Sequence, residues 1–416
     1  MKKILVIDER FPSTGGSRTE KFVKYLPAEG WEPIVLSIDQ AGKNPFYDEI
    51  LQKYTSPDIK LYGTGTLPDF SILEKLNMGR LGNILNRLLY IPDVTVNWIP
   101  FALTQALRII RKEKPVVIYS TSPSEGIHLI AVLVKKLSGL PWVADFRDLW
   151  TRYALRYKPL TPVHNYFNRF IEKKIYLEWS DLVIANTAEN KAILVNQFRV
   201  RPERVTTITN GFDPDDVKEA RLVPGKRTRM QLGYFGGFEK PAICYREFLE
   251  GFRKALSGNS GFQLKLWARV SDQLKTDMER DPLLSGAVKI RPYLSHQRAM
   301  RQLAENDIFI LLLKSSFEHI VPQKLYHYLA FKKPILAVAP AAGCTARIIR
   351  ETNTGIIVSP DDTDAIAAGL AGLHKQWEAG AFSSFSSQVN DQNLENYRRD
   401  RLTGKLAAAL NRVIGF

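Results

Sequence analysis

Residues Val321 to Pro360 read VPQKLYHYLAFKKPILAVAPAAGCTARIIRETNTGIIVSP, and they predict a loop, a helix, a strand and a second helix in direct succession. Pro322 stands where a helix begins without losing a bonded N–H, and apolar residues recur at helical spacing after it. The apolar run 335–338 is short and does not alternate, which is typical of a parallel strand covered on both faces. Because a helix N-terminus exposes unpaired N–H groups and Lys324 adds a charge near it, the segment predicts a seat for an anionic group such as a diphosphate.

The composition indicates a water-soluble protein with more than one domain. The chain has 416 residues, of which 45% are hydrophobic and 24% charged. It contains no uninterrupted run of about 18 apolar residues, the length that a membrane-spanning helix needs. The beginning, MKKILVIDER, has too short an apolar stretch for a secretory signal and suits a first buried strand, so we expect a cytoplasmic protein. The two cysteines, Cys244 and Cys344, have no partners at metal-binding spacing, which argues against a zinc site or a disulfide framework.

Strand-like runs alternate with helical stretches along the whole chain, which predicts an α/β fold with two doubly wound, mostly parallel sheets. We place an N-terminal domain at 1–215 and a C-terminal domain at 216–392, and we expect the helical segment 393–416 to pack back on the first domain. The stretch 41–93 is irregular, and the pattern does not place it. The predicted strands are 4–7, 34–38, 116–120, 142–144, 182–185 and 205–208, then 230–235, 263–268, 288–292, 308–313, 334–338 and 355–358.

Each predicted sheet begins with a strand that is followed by a pair of glycines. In the first half the loop DERFPSTGGSR, residues 8–18, contains Gly15 and Gly16, and in the second half the loop LGYFGGFEK, residues 232–240, contains Gly236 and Gly237. Glycine lets backbone N–H groups approach a ligand closely, and open α/β sheets bind ligands at the carboxyl ends of their strands. Both loops are therefore candidate ligand sites, and the alternative is a tight turn that binds no ligand.

Two further loops follow strand ends in the first half. YSTSPSEGIH, residues 119–128, places His128 on the first turn of a helix, and WVADFRDLW, residues 142–150, carries three charges. His128 is either a ligand-contacting residue or a satisfied core histidine. The charged residues either bind an acceptor or form a buried ion network that only stabilises the domain, and they are Asp145, Arg147 and Asp148.

Other charged segments have competing interpretations. The stretch YFNRFIEKKIYLEW, residues 166–179, mixes aromatic and basic residues on a predicted helix, so it either lies on an anionic membrane surface or packs on its own sheet with a solvated basic edge. Asp213-Pro214-Asp215 has the spacing of an Asp-x-Asp metal motif, but we interpret it as a turn in an interdomain linker. The net charge of +15 suits polyanionic partners, yet no recognition helix or base-stacking motif predicts nucleic-acid binding.

The segment 321–360 resembles the donor-binding part of the family 4 glycosyltransferases, enzymes of the two-domain GT-B fold that use nucleotide-diphosphate sugars. The family pattern runs Pro-x-Lys-hydrophobic-aromatic-Glu-Tyr-Leu-Ala, then Lys-Pro-Ile-Leu-Ala, then a helix ending in Asn-x-Gly, and the chain matches nearly every part of it. The chain departs from the pattern at His327, where the family has a glutamate on the nucleotide ribose, and at His319, where a first glutamate is usual. Glu318 lies beside that earlier position.

The resemblance implies roles for the candidate residues around a cleft between two Rossmann-like domains. It implies catalytic roles for His128, Glu318 and His319, and it implies donor binding by Gly236, Gly237, Lys240, Lys324 and His327. On the acceptor side it implies contacts from Arg10, Gly15, Gly16, Arg18, Asp145, Arg147 and Asp148.

The function that we expect is therefore transfer of a sugar from a nucleotide-diphosphate sugar to an acceptor hydroxyl. The resemblance implies a retaining enzyme that needs no metal and no cofactor beyond its donor, and that serves bacterial cell-surface polysaccharide or glycolipid assembly with a saccharide or lipid-linked acceptor. Peripheral contact with an anionic membrane stays open. The alternative is a catalytically weak or inactive GT-B protein that binds nucleotide as a scaffold or partner of another glycosyltransferase, because a neutral imidazole does not replace a two-oxygen carboxylate.

Overall fold

The computed structural model describes residues 1–13, 17–39, 59–152, 159, 161–218, 227–292 and 294–415. The chain divides into two compact units. Unit 1 comprises Met1–Thr209 together with Asp400–Phe416, and unit 2 comprises Asn210–Arg399. The first unit therefore ends six residues before the boundary drawn from the sequence at 215, and the last part of the chain returns to it.

Unit 1 is built on a parallel sheet of seven strands. Their order across the sheet is β3-β2-β1-β4-β5-β6-β7, and the paired registers are all parallel. The strands are β1 Lys2–Ile7, β2 Trp31–Ile38, β3 Lys60–Thr64, β4 Val117–Thr121, β5 Trp142–Phe146, β6 Leu182–Ala185 and β7 Val205–Thr207.

Unit 2 repeats the same winding with six parallel strands in the order β10-β9-β8-β11-β12-β13. The strands are β8 Met230–Phe235, β9 Phe262–Trp267, β10 Val288–Arg291, β11 Ile308–Leu312, β12 Ile335–Val338 and β13 Gly355–Val358. In both sheets the first strand in sequence lies in the interior, and the chain order reverses beside it. Open α/β sheets bind ligands at this switch point, outside the carboxyl ends of the strands.

Helices cover both faces of each sheet, which explains why the strands are apolar without alternation. All four residues of β12 are buried, as are all five of β4, β5 and β11. The helices of unit 1 are α1 Arg18–Tyr25, α2 Gly79–Leu89, α3 Ile99–Glu113, α4 Gly126–Ser138, α5 Pro162–Phe170 and α6 Ala188–Asn196.

Several of the helices that follow in the chain have only four or five residues. The helices that follow are α7 Pro214–Lys218, α8 Tyr245–Gly258, α9 Asp272–Arg280, α10 Leu284–Ala287, α11 His296–Ala304, α12 Gln323–Ala330, α13 Cys344–Thr352, α14 Thr363–Glu378, α15 Phe385–Gln388, α16 Asp391–Glu395 and α17 Arg399–Val413. Leu402, Leu406 and Leu410 recur on one face of α17, and they join the core of unit 1 that contains Ile4 and Val6.

The fold differs from the sequence prediction in two places. The strand β3 lies inside the stretch that the pattern did not place, because an edge strand that is only partly buried lacks a continuous apolar run. The predicted final helix is interrupted between α16 and α17. There the backbone of Phe212 bonds to Tyr397 and Arg399, which draws this segment into an extended pairing instead of a helical turn.

Candidate functional site

The glycine turn after β8 forms the first half of the candidate site in unit 2. Gly236 has a φ of +96°, a left-handed conformation that glycine adopts without a steric penalty. Its N–H donates to the Trp267 carbonyl at 3.0 Å, and the Tyr234 hydroxyl donates to the Gly237 carbonyl at 2.7 Å. A side chain at Gly237 would overlap the stem of Lys240, so the lysine folds back over the turn. Gly236 itself is exposed, so a ligand can approach its backbone closely.

Lys324 on α12 forms the second half. Its ammonium lies 3.7 Å from the centroid of the Tyr234 ring, and a Cβ at Gly236 would stand 3.7 Å from Nζ. Within the described part of the chain, this buried nitrogen has no hydrogen-bond partner. Burial first, and then the charge of Lys240, lowers the pKa of Lys324 from 10.5 to about 7. A cation held against an aromatic face without a counter-charge is a site that an anion would stabilise.

The sequence prediction of a common donor site at Gly236, Gly237, Lys240 and Lys324 therefore has a structural counterpart, since the four residues are neighbours. Tyr234 and Tyr328 are the residues that the sequence interpretation missed. Tyr328 braces the turn because its hydroxyl accepts the Phe235 N–H at 3.3 Å. Both tyrosines look like ordinary core aromatics in the sequence, and no pattern there distinguishes them.

The remaining donor-side candidates follow β11 and lie on α12. Glu318 and His319 are exposed, and the Glu318 carbonyl accepts the Cys344 N–H at 2.8 Å, which occupies one donor at the start of α13. His327 is half-buried, and its ring centroid lies 5.2 Å from that of His296. His296 in turn bonds to Asp216 at 2.8 Å. The sequence interpretation missed His296 and Asp216 because they are distant in the chain from His327.

On the acceptor side, Arg18 and Asp145 form a fully buried ion pair. The guanidinium Nε lies 2.6 Å from the Asp145 carboxylate, and the same guanidinium donates to the carbonyls of Ile208 and Thr209. Tyr119 also donates to Asp145. Because both charged groups have no exposed surface, this geometry is that of a stabilising ion pair. The network considered from the sequence grouped Asp145 with Arg147 and Asp148 instead of with Arg18.

The other acceptor-side candidates have different environments. Arg10 is 73% exposed and pairs with Glu9 at 2.9 Å. Arg147 and Asp148 are half-buried, and burial lowers the pKa of Arg147. Gly15 and Gly16 lie outside the described residues. Of this group, Arg10 is the described side chain most accessible to a ligand.

His128 on α4 is completely buried in an aromatic cluster. Its Nδ1 lies 2.9 Å from the Ser120 hydroxyl, and its ring packs 4.6 Å from Phe146 and 5.5 Å from Tyr176 between ring centroids. Burial lowers the pKa of His128 to about 3, so the imidazole is neutral at physiological pH. Contact with a substrate would require its Nε2 to become accessible, and the present surroundings are those of a core histidine.

The N-terminus of α4 is already occupied by a carboxylate. The Asp93 side chain accepts the Glu125 N–H at 2.6 Å and the Gly126 N–H at 3.3 Å. An anionic ligand at this helix end would have to displace it, whereas Lys324 in unit 2 has no such competitor among the described residues. Among those residues, no three His, Cys, Asp or Glu side chains are grouped as a metal site would require.

Comparisons with known proteins agree with this architecture. The family model described as Glycosyltransferase Family 4 matches residues 16–216. No curated protein matches the sequence. Many solved structures are similar along nearly the whole chain, and three of them illustrate the likeness.

Sucrose-phosphate synthase from Thermosynechococcus elongatus superimposes with a TM-score of 0.69 at 14% identity and covers 100% of both chains. A glycosyltransferase from Rickettsia africae gives 0.68 at 15% identity, covering 99% of this chain and 98% of that one. Anabaena HepE, solved in complex with UDP-glucose, gives 0.67 at 14% identity, covering 99% and 100%. At such identities the likeness concerns the fold, and it confirms the predicted GT-B class of two doubly wound α/β units.

Proposed function

We propose that this chain, whose residues 16–216 match the model of Glycosyltransferase Family 4, transfers a sugar from a nucleotide-diphosphate sugar to an acceptor hydroxyl. The observation that carries the proposal is the buried Lys324 ammonium beside Gly236, which lacks a hydrogen-bond partner within the described residues. A donor diphosphate supplies the missing counter-charge. The nucleotide sugar is then a co-substrate, and no further cofactor is proposed.

The chemistry requires positive charge where the leaving group forms. Departure of the nucleoside diphosphate develops negative charge on its phosphate oxygens, and preorganised cations stabilise that charge more strongly in the transition state than in the donor. Lys324 is preorganised because the Tyr234 ring and the surrounding protein hold its ammonium in one place. Lys240 is exposed on the same turn and provides a second cation when its stem swings over the diphosphate.

The two histidines define how this chain would differ from that family. We propose that His327 accepts one hydrogen bond from the nucleotide ribose, which is a weaker anchor than the two-oxygen acceptor of a glutamate. Glu318 and His319 are exposed beside the start of α13, and we assign them to the transferred sugar. The catalytic role proposed for His128 requires an opening of its aromatic cluster, and it is the least favoured of the three.

The finer parts of the proposal come from the family. We propose that transfer retains the anomeric configuration without a metal ion, that the acceptor is a saccharide or a lipid-linked sugar, and that Arg10 contributes to its binding together with the loop of Gly15 and Gly16. Arg18, Asp145, Arg147 and Asp148 then support that surface from within unit 1. The setting is bacterial cell-surface polysaccharide or glycolipid assembly, in the cytoplasm or at its membrane face. No helix in the described residues is both long and apolar enough to cross a bilayer.

The deciding experiment measures donor binding and nucleoside diphosphate release. UDP-glucose is the first donor to test because HepE binds it, followed by donors with guanine, adenine and thymine bases. We expect one donor to raise the melting temperature and to release its nucleoside diphosphate when acceptor glycosides are added. Lys324→Met removes the charge and keeps a side chain of similar length. Lys289→Met, at an exposed position of β10, is the matched control. Product anomers identified by NMR, and release in the presence of EDTA, test retention and metal independence.

The inactive scaffold is distinguished by the same measurements. A protein that binds a nucleotide sugar through Lys324 but releases no nucleoside diphosphate with any acceptor would be a nucleotide-binding partner protein. The site itself would be contradicted if Lys324→Met bound the donor as tightly as the parent does. It would also be contradicted if Lys324→Met and Lys289→Met lost donor binding equally.

A further inference from the structure

Three segments of unit 1 expose apolar side chains to solvent in a regular pattern. They are the 3-10 segment Phe70–Leu76, the helix α2 and the helix α5. The exposed side chains, which we call the apolar surface, include Met78 at the N-cap of α2, and they are Ile72, Leu76, Met78, Leu81, Ile84, Leu88, Leu89, Val163, Tyr166, Phe167 and Phe170. Four of them, namely Leu76, Leu89, Val163 and Tyr166, are more than 60% exposed. Single exposed apolar residues are ordinary, but a concentration of this kind indicates an interaction surface.

The two helices are amphipathic with the apolar face turned outward. On α5, Asn168 is the buried residue, while Val163, Tyr166 and Phe170 are exposed at helical spacing. On α2, Gly82 is the buried residue, and a Cβ there would overlap the Phe70 carbonyl. The fully buried position of each helix is therefore a polar side chain or a glycine, and the apolar residues other than the half-buried Leu85 are exposed. An ordinary helix of a globular domain does the reverse.

The two helices and the 3-10 segment are neighbours in the fold. The His164 ring nitrogen Nε2 on α5 lies 3.5 Å from the Leu88 carbonyl at the end of α2. Phe70 N–H donates to the Asn86 side chain at 2.9 Å, which fixes the 3-10 segment against α2.

Positive charge borders the apolar surface. The stretch 70–90 has three basic residues and one acidic residue, and the stretch 161–174 has three basic residues and a single acidic one, Glu172, which is buried with Thr151. The exposed cations are Lys75, Arg80, Arg87, Arg169, Lys173 and Lys174, of which Lys174 pairs with Glu178 at 2.7 Å. Apolar side chains flanked by lysine and arginine are complementary to a bilayer whose headgroups are negatively charged.

From this geometry we infer that the apolar surface of unit 1 inserts into the interface of an anionic lipid bilayer, with the bordering cations on the headgroups. A second copy of the chain is the competing occupant. In a symmetric dimer the same surface would face itself, so the six cations of one copy would oppose those of the other. A bilayer offers apolar and negative partners together, and it has no such conflict.

This inference deepens the proposed function, because a lipid-linked acceptor would lie in the same membrane. Only that consequence rests on the proposed function, whereas membrane binding is argued from the surface alone. The experiment does not use turnover, so failure of the surface and failure of the transferase proposal are distinguishable. The full-length protein is floated with vesicles of phosphatidylcholine alone and with vesicles that contain phosphatidylglycerol. We expect binding to the anionic vesicles that weakens as salt is added, and little binding to the neutral ones.

Two variants test the two components of the surface. Leu81→Asn with Leu88→Asn removes apolar insertion, and Lys75→Glu with Arg80→Glu reverses charge; each should weaken vesicle binding about tenfold or more. All four positions are exposed, so both proteins should keep their melting temperature. Leu137→Asn and Lys405→Glu are exposed controls elsewhere on unit 1, and they should bind as the parent does.

Three results would overturn the inference. The first is absence of binding to anionic vesicles, and the second is equal binding to neutral vesicles. The third is a dimer in solution that Leu81→Asn with Leu88→Asn converts to monomer, because the second copy would then be the occupant.

Discussion

Replacing Lys324 with methionine should stabilise unit 2 while it removes donor binding. The pKa of Lys324 is lowered from 10.5 to about 7, chiefly by burial. In the folded protein the proton is therefore lost near pH 7, whereas the unfolded chain keeps it up to 10.5. Between these values the unfolded chain binds more protons, so stability rises with pH across that window, and the penalty is largest below pH 7.

The magnitude follows from the size of the pKa shift. The full shift corresponds to about 5 kcal/mol of lost stability below pH 7 and about 2 kcal/mol at pH 9. The contact with the Tyr234 ring returns about 1 kcal/mol, which Lys324→Met gives up. The advantage of the variant over the parent should therefore shrink by about 3 kcal/mol between pH 6 and pH 9, which is about 6–12 °C in the melting temperature of a unit of this size.

The assay is calorimetric unfolding of the ligand-free protein at both pH values, with Lys289→Met as the exposed control. Titration with UDP-glucose, whose diphosphate does not change charge in this range, then measures binding. The parent should lose affinity as pH rises above 7, because neutral Lys324 no longer neutralises the diphosphate, and the variant should show weak binding with no such slope. A variant that melts at or below the parent temperature at pH 6, with an unchanged pH slope, would refute the reasoning.

Three further predictions concern other residues of the two units. Gly236→Ala should cost about 1–2 kcal/mol in unfolding free energy and weaken donor binding, because alanine is strained at φ +96°; urea unfolding and a UDP-glucose titration measure both. Asp145→Asn should destabilise unit 1 by about 3–5 kcal/mol, since it leaves Arg18 buried without its counter-charge, and the double change Arg18→Met with Asp145→Leu should recover part of that loss in the same urea assay. His327→Glu should tighten donor binding about fivefold, because a carboxylate makes charge-assisted hydrogen bonds to both ribose hydroxyls; unchanged affinity would remove His327 from the donor site.

Much of unit 2 was predictable because its determinants are local. The alternation of apolar runs and helical stretches predicted each of its six strands, and the glycine turn after β8 and the lysine on α12 both followed from short patterns. Their position at the switch point of the sheet then follows from the order of a doubly wound fold. The prediction was weaker where a segment is stabilised by distant partners, as for the edge strand β3 and the break before α17.

The candidate site shows the same division. Arg18 and Asp145 looked like ligand-binding residues because charged side chains followed strand ends, yet the fold buries them against each other. Likewise, the outward orientation of α2 and α5 is invisible in their hydrophobic periodicity, because an amphipathic helix has the same pattern whichever way its apolar face turns.

By itself the sequence of this protein determined which segments become strands, helices and glycine turns, because backbone preference and hydrophobic period act between near neighbours. Only the tertiary structure decided which charges meet. It placed the Lys324 ammonium over Tyr234 without an acidic neighbour among the described residues, and it enclosed Asp145 with Arg18. The energy of a charge depends on its burial and on partners that lie far away in the chain, and these are properties of the folded protein alone.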